Sequence, residues 1–300
     1  MTTVAVIANP GKSFGGGLDE LRRALDEAGF REPLWYELGK NRLATTCARR
    51  AVAAGADVLF VWGGDGTVQR CIDAVAGGAV AVAILPAGTG NLLATNLGIP
   101  QDIAEAVEVG LHGDRRTIDT GTVNGEHFAV MAGAGMDVLM LQGAGERLKD
   151  RFGRATYLWA GARNLTAKPV RAKVDVDGRR FHDGRITCVL VGNVRDIFGK
   201  VEVFDRSRPD DGVLELGVVT AKTRIQWLRT IARVALGRAE DSPFVVTTRG
   251  RRMTVTFDAP TAYELDGDVR APAKRLRIEV RPKAITVCVP AASTGQGGSR

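Results

Sequence analysis

The chain has 300 residues, of which 45 % are hydrophobic, 25 % charged and 6 % aromatic, and its formal net charge is +7. That is enough apolar material for two cores, and it excludes disorder for most of the length. No stretch approaches the roughly 18 uninterrupted apolar residues of a membrane-spanning helix, and the start lacks a basic region followed by an apolar signal segment, so a cytoplasmic protein is expected.

The charge is unevenly shared. Residues 1–120 hold 11 Lys+Arg against 14 Asp+Glu, net −3, which leaves +10 for the remainder. A basic half fits an anionic partner (a phosphorylated ligand, a membrane surface or nucleic acid), and it fits a solvated Arg-rich face equally well. Cys47, Cys71, Cys188 and Cys288 are widely separated and read as small buried side chains rather than a disulfide or zinc framework. The three histidines show no metal-ligand spacing.

In chain order, Thr3 to Ala8 is an apolar strand ending at Asn9-Pro10-Gly11, after which Leu18, Leu21, Leu25 and Ala28 recur at helical spacing until Gly29. Pro33 to Leu38 reads as a strand, Leu43 to Ala54 as a helix closed by Gly55, and Asp57 to Trp62 as a buried strand. Thr67 to Ala76 and Val80 to Leu85 repeat the helix-then-strand step, and Asn91 to Leu97 and Asp102 to Val109 add short helices. This alternation predicts an α/β domain over 1–120 with a doubly wound, mostly parallel sheet, whose ligands sit beyond the carboxyl ends of the strands.

After Asp119 the rhythm turns β-rich. Strands are predicted at Arg171 to Asp177, Arg185 to Gly192, Val213 to Thr220, Arg252 to Phe257 and Leu276 to Val280, with hairpin signals at Asp177-Gly178 and Asp183-Gly184. Helices are expected at Tyr157 to Leu165 and Lys222 to Leu236. In the latter, Leu228, Ile231 and Ala235 share a face flanked by Trp227, Val234 and Ile225, while Lys222, Arg229 and Arg233 lie opposite. Such a helix suits an anionic membrane surface, and it also suits packing against its own domain. The reading is an antiparallel β domain over 121–290 and a flexible tail at 291–300.

The segment that carries chemistry is Gly63-Gly64-Asp65-Gly66-Thr67, between a buried strand and a helix. Glycines at that junction let backbone approach a polyphosphate, and the helix N-terminus supplies positive partial charge. An ordinary tight turn has the same composition. A second loop, Pro86-Ala87-Gly88-Thr89-Gly90-Asn91, follows the next strand, and a third, Asn9-Pro10-Gly11-Lys12, follows the first. Three loops on one sheet edge make a plausible nucleotide cleft. A Walker A loop is excluded because its earlier glycine would fall at Val6, and no loop gives the dinucleotide pattern G-x-G-x-x-G.

The two glycine loops at 63–67 and 86–91 together resemble the catalytic domain of the diacylglycerol kinase family, which includes bacterial lipid kinases and sphingosine and ceramide kinases. Asn9-Pro10, Asn193, Asp210-Asp211-Gly212 before Val213, and Asp266-Gly267-Asp268 follow in the family's order. The resemblance implies an α/β nucleotide domain like that of NAD kinases and phosphofructokinases, a C-terminal β-sandwich, and an active site in the cleft. It also implies transfer of the ATP γ-phosphoryl, with Mg²⁺, to a lipid hydroxyl, diacylglycerol first among the acceptors. The candidate nucleotide site is then Asn9, Pro10, Gly11 and Lys12, with Gly63, Gly64, Asp65, Gly66 and Thr67, and with Gly88, Thr89 and Asn91.

The family's Asp-Gly-Glu reads Asp266-Gly267-Asp268 here, so either carboxylate is a candidate base, both facing one cleft unless Gly267 marks a turn. Asp65 is a third catalytic candidate, reaching Mg²⁺ through water or bracing its own loop. By resemblance Asp211 and the carbonyl of Val213 hold a structural Mg²⁺, although the preceding ligand position is Arg208, whose side chain cannot coordinate a cation, so that only its backbone could serve. The expected partner is a lipid at the inner membrane surface, met peripherally. Nucleic acid is not expected, since the basic half lacks interleaved aromatics, and the sequence is silent on oligomeric state. An NAD- or sugar-type kinase of the same fold and a catalytically weak nucleotide-binding regulator remain open alternatives.

Overall fold

In the computed structural model the described residues are 2–12, 14–39, 43–135, 169–196, 204, 207–235 and 241–292. The chain divides into two compact units, Met1–Ile118 with Ile285–Arg300, and Asp119–Ala284. The expected helix at Tyr157 to Leu165 lies outside the described residues, as does most of the expected tail.

The first unit alternates as its sequence predicts: β1 (Val4–Ala8), α1 (Gly17–Glu27), β2 (Leu34–Glu37), α2 (Ala44–Ala53), β3 (Val58–Gly63), α3 (Asp65–Val75), β4 (Ala81–Pro86), α4 (Leu92–Asn96) and α5 (Ile103–His112). Its strands run parallel in the order β2-β1-β3-β4. Strand alternation sorts them onto two faces. Val4, Val6, Phe60, Trp62, Ala83 and Leu85 pack with Leu21 and Leu25 of α1 and Ile103 and Val107 of α5. The interleaved Ala5, Ile7, Leu59, Val61, Val82 and Ile84 are just as buried and face the other way. Helices α2 and α3 pack together, burying Ala48, Cys71 and Ile72. All four cysteines are free and buried, as expected.

Beyond β4 the sheet gains a strand from the far end of the chain, where Thr286 and Val287 pair in parallel with Ala81 and Val82. A division in chain order assigns residues 285–290 to the β-rich domain, but here 285 onward belongs to the first unit. Apolar runs do not announce which sheet they join.

The second unit contains the end of β5 (Asp114–Val123), then β6 (Glu126–Phe128), β7 (Met131–Ala134), β8 (Val170–Val176), β9 (Arg179–Ile186), β10 (Cys188–Gly192), β11 (Leu214–Val219), α6 (Arg224–Ala235), β12 (Val245–Gly250), β13 (Arg252–Leu265) and most of β14 (Asp268–Val289). Neighbours in the order β12-β11-β10-β7-β13-β14 are all antiparallel. Phe128, Val174, Val191, Leu216, Val255, Leu265 and Ile278 belong to its core.

The structure corrects two β expectations. Asp177-Gly178 does turn β8 into β9, with φ of 47° and 81°, but Asp183-Gly184 lies inside β9, opposite Lys173 and Ala172. The run Arg185 to Gly192 is split between β9 and β10, because Thr187 turns its N–H and hydroxyl to the Val219 carbonyl. Among the described side chains of α6, Trp227 and Thr230 are buried, with Thr230 Oγ1 3.0 Å from Ser242 Oγ, whereas Leu228, placed on the apolar face from sequence, is 47 % exposed and Ile225 64 %.

Close packing fixes one glycine of the first unit. A Cβ on Gly110 of α5 would overlap the ring of Phe60 and come within 2.9 Å of Ala83 Cβ. Gly110→Ala should therefore lower unfolding free energy by about 1–3 kcal/mol despite the better helix propensity of alanine, as measured by urea titration.

Candidate active site

The three loops singled out from sequence come together at the carboxyl ends of β1, β3 and β4. Asn9 organises the first. Its Oδ1 accepts the Gly11 N–H at 3.1 Å, its backbone N–H bonds the Trp62 carbonyl at 3.0 Å, and its Nδ2 lies 3.4 Å from Thr67 Oγ1. The Lys12 carbonyl in turn accepts from the Trp62 indole at 3.2 Å. Pro10 and Gly11 are exposed and Lys12 is half-buried.

The loops at 63–67 and 86–91 touch backbone to backbone. A Cβ on Gly88 would lie 2.5 Å from Gly64 Cα, and one on Gly63 would strike Thr67 at 2.6 Å, so neither position accommodates a side chain. Helix α3 starts at Asp65, two residues earlier than its sequence period indicates, with the N–H groups of Thr67 and Val68 returning to the Gly64 carbonyl. Asn91 sits in the left-handed region at φ 47° and closes its own loop, accepting the Gly88 N–H at 2.9 Å and donating to the Gly88 carbonyl at 2.7 Å. Thr89 and Gly90 lie exposed at the rim, and Gly66 is in the first turn of α3.

Asp65 joins these loops rather than reaching outward. Its Oδ1 accepts the Leu92 N–H at 2.6 Å. Burial pushes its carboxyl above the ordinary value, opposed by the N–H groups of Leu92, Asn91 and Leu93. The geometry makes Asp65 the brace between the two glycine loops.

In the second unit, Asp266-Gly267 is a two-residue turn with φ of 45° and 88°, and Leu265 pairs directly with Asp268. The two carboxylates therefore do not lie along one strand. Asp266 is buried, and its carboxylate accepts three successive N–H groups, from Ala129, Val130 and Met131, at 2.8, 2.9 and 2.8 Å. Asp268 remains 36 % exposed, with Arg270 Nη1 3.9 Å from its carboxylate. Arg270 is itself gripped by Glu126 through Nε at 2.9 and 3.0 Å and through Nη2, and its Nη1 donates to the Asp268 carbonyl at 3.0 Å. Sequence reading missed the Glu126–Arg270 pair, since the partners are 144 residues apart.

Asn193 is fully buried and donates to the carbonyls of Asp119 and Ala129 at 2.9 and 3.0 Å. Glu264 was also missed. It lies opposite Gly133, is 3 % exposed, and its Oε1 has no hydrogen-bond partner. Burial, and secondarily the Asp266 charge, push its carboxyl up to about 8.

The Asp211 turn is poor in side-chain oxygens for a magnesium ion. Asp211 Oδ1 accepts the Val213 N–H at 3.2 Å, its Oδ2 is ion-paired with Arg249, and Arg208 offers no side-chain oxygen. Among the described residues no group of three acidic, His or Cys side chains is placed to hold a metal. Mg²⁺ prefers six oxygens in an octahedron, of which the side chains here supply only those of Asp211, so backbone carbonyls and water would have to supply the rest.

A doubly wound sheet whose glycine loops meet at one edge, followed by an antiparallel β unit, defines a two-unit α/β protein with loops of the phosphate-approaching kind. Residues 3–123 match the family model for the diacylglycerol kinase catalytic domain, and residues 130–289 match the YegS C-terminal NAD kinase beta sandwich-like domain. The chain is 27 % identical over 282 residues to a diacylglycerol kinase of Bacillus subtilis (strain 168), covering 89 % of this chain and 90 % of that one. It is 30 % identical over 245 residues to the "Probable lipid kinase YegS-like" of Klebsiella pneumoniae (strain 342), covering 80 % of each. A crystal structure of a diacylglycerol kinase from Bacillus anthracis str. Sterne superposes with a TM-score of 0.76 at 24 % identity over 96 % of both chains, which establishes the shared fold. The chain thus belongs to the diacylglycerol kinase catalytic-domain family, with the YegS-type C-terminal domain.

The raised Glu264 carboxyl makes stability depend on pH. Its folded value of about 8 lies above the ordinary 4.5, so the folded chain holds this proton more tightly than the unfolded chain does. The associated stability is complete below about pH 4.5 and is lost as pH rises toward 8. Glu264→Gln should flatten this decline, which for the parent chain amounts at most to about 5 kcal/mol, in unfolding titrations across that range.

Proposed function

We propose that this chain transfers the γ-phosphoryl group of ATP, bound as its Mg²⁺ complex, to the free hydroxyl of diacylglycerol. The observation that carries the reading is the meeting of the Asn9–Lys12, Gly63–Thr67 and Gly88–Asn91 loops, with Gly88 too close to Gly64 for a side chain, in a member of a family that includes relatives named lipid and diacylglycerol kinases. Glycines at that edge leave backbone N–H groups able to approach phosphate oxygens. Phosphoryl transfer asks little covalent chemistry of a protein, so orienting the triphosphate and the acceptor accounts for most of the rate.

Of the three candidate carboxylates, Asp268 is the one suited to take the hydroxyl proton. Asp65 is tied to Leu92, and Asp266 is occupied by three backbone N–H groups, whereas Asp268 is partly open. Asp266 then acts as a positioning residue that holds the turn bearing the base. The acceptor is met at the inner membrane surface. Exposed Ile225 and Leu228 on α6, beside exposed Arg229, support peripheral contact there. No described helix is long and apolar enough to cross a bilayer.

Labelled ATP offered with diacylglycerol, monoacylglycerol, sphingosine, ceramide or phosphatidylglycerol in mixed micelles should label diacylglycerol most. Absence of label on every lipid would remove the proposal, and preferential labelling of another lipid would move the acceptor. Asp268→Asn should lower kcat about 10²–10⁴-fold, the usual scale for loss of a general base, while KM for ATP stays within a few-fold.

Binding to vesicles containing anionic lipid should weaken in high salt. It should also weaken on replacing Ile225 and Leu228 with serine, with sedimentation of bound protein as the measurement.

A further inference from the structure

The turn at residues 208–213 is where the family resemblance places a structural divalent cation, and this chain departs from that pattern in a directed way. Arg249, on β12, stands directly opposite Glu215 on β11. From there its Nη2 reaches the Asp211 carboxylate while its Nε faces Glu215 Oε1 at 3.4 Å. One guanidinium therefore bridges two carboxylates, one in the turn and one, nearly buried, on the strand that follows it.

We propose that Arg249 is the cation of this turn, standing in for the Mg²⁺ that the resemblance assigns to Asp211 and Val213, so that the loop is held without any divalent ion. Three features agree. A guanidinium is permanently charged and presents a rigid fork of donors, which suits two carboxylates on neighbouring elements better than a compact ammonium does. Both Asp211 oxygens are already engaged, Oδ1 by the Val213 N–H and Oδ2 by Arg249, so the carboxylate's charge is met within the chain. The position that would complete a coordination shell holds Arg208, whose side chain brings positive charge and leaves only the backbone carbonyl as an oxygen ligand. The rest of the turn is ordered from a separate direction. The Asp119 carboxylate accepts the Gly212 N–H at 2.7 Å and the Lys283 N–H at 2.8 Å, and its own N–H bonds the Pro209 carbonyl at 2.6 Å. The ion is therefore needed neither to shape the backbone nor to neutralise Asp211.

The test is thermal unfolding of the nucleotide-free protein, in which Mg²⁺ requirements of the reaction play no part. Wild-type Tm should be the same in EDTA and in excess Mg²⁺. A structural ion bound at saturation would instead separate the two by several degrees. In EDTA, Arg249→Ala should lower Tm by roughly 2–4 °C, the scale of losing one partly buried ion pair in a chain of this size. Added Mg²⁺ should recover part of that loss, and more of it in the Arg208→Asp, Arg249→Ala double variant, where a carboxylate returns to that ligand position. A wild-type Tm that falls in EDTA overturns the proposal, and so does an Arg249→Ala variant as stable in EDTA as the wild type. Should the alanine variant fail to fold, Arg249→Lys serves in its place. It keeps the charge without the fork and should fall between the two.

Discussion

The rest of the nucleotide-side architecture depends on the approach of Gly64 to Gly88. Two loops that close adjacent parallel strands are pressed together until Gly88 cannot carry a Cβ and one on Gly64 would lie 3.3 Å from Gly88 Cα. This follows from β3 and β4 pairing residue for residue up to Gly63 and Pro86. Once the strands are in register, their exit loops must share one small volume, and glycine is the residue that permits it. Asp65 and Asn91 then make the contact rigid, one by bonding from loop to loop and the other by closing its own loop. The result is a stiff edge of backbone rather than a flexible flap, which suits a site that works by positioning.

The second unit solves a similar problem with charge. Asp266 gathers three consecutive N–H groups from the link between β6 and β7 and so fixes both a tight turn and the strand beside it. Arg270 is held by Glu126 before it meets Asp268. In each case a group facing outward rests on a fully bonded group behind it. Glu264 departs from this pattern, a buried carboxyl with one oxygen that accepts no hydrogen bond, and it marks a place where the unit accepts instability.

What could be read from the sequence was local. Strand alternation with helical periods supplied the first unit nearly in full, and the glycine loops were recognisable because phosphate-type loops need those residues at strand ends. The failures were failures of range. The Asp-Gly pairs at 177, 183 and 266 look alike in the chain, yet two are turns and one lies in mid-strand, since only pairing with β8 decides that Asp183-Gly184 stays extended. A further turn of the same kind, Asn124-Gly125, joins β5 to β6 with φ of 51° and 95°. The Asn-Gly dipeptide is itself a hairpin signal, but β6 has only three residues, too few to show the alternation that would mark a second strand. The roles of Asp266 and Asp268 separated only when residues 129–131 arrived from across the fold. On α6 the flanking Trp227 is buried as its place on the period suggests, while Leu228 and Ile225 stay exposed, a difference that burial decides and periodicity does not.

The first unit is discontinuous: its strand beside β4 is made from residues 286 and 287, after all of 119–284 has been laid down. During synthesis, the N-terminal sheet therefore waits with an open edge at β4 while the whole antiparallel unit emerges and can fold. An open parallel edge is a template for mispairing, so the order of translation works against this unit. A chain stopped short of residue 285 would retain every glycine loop and still lack the strand that seals the sheet carrying them.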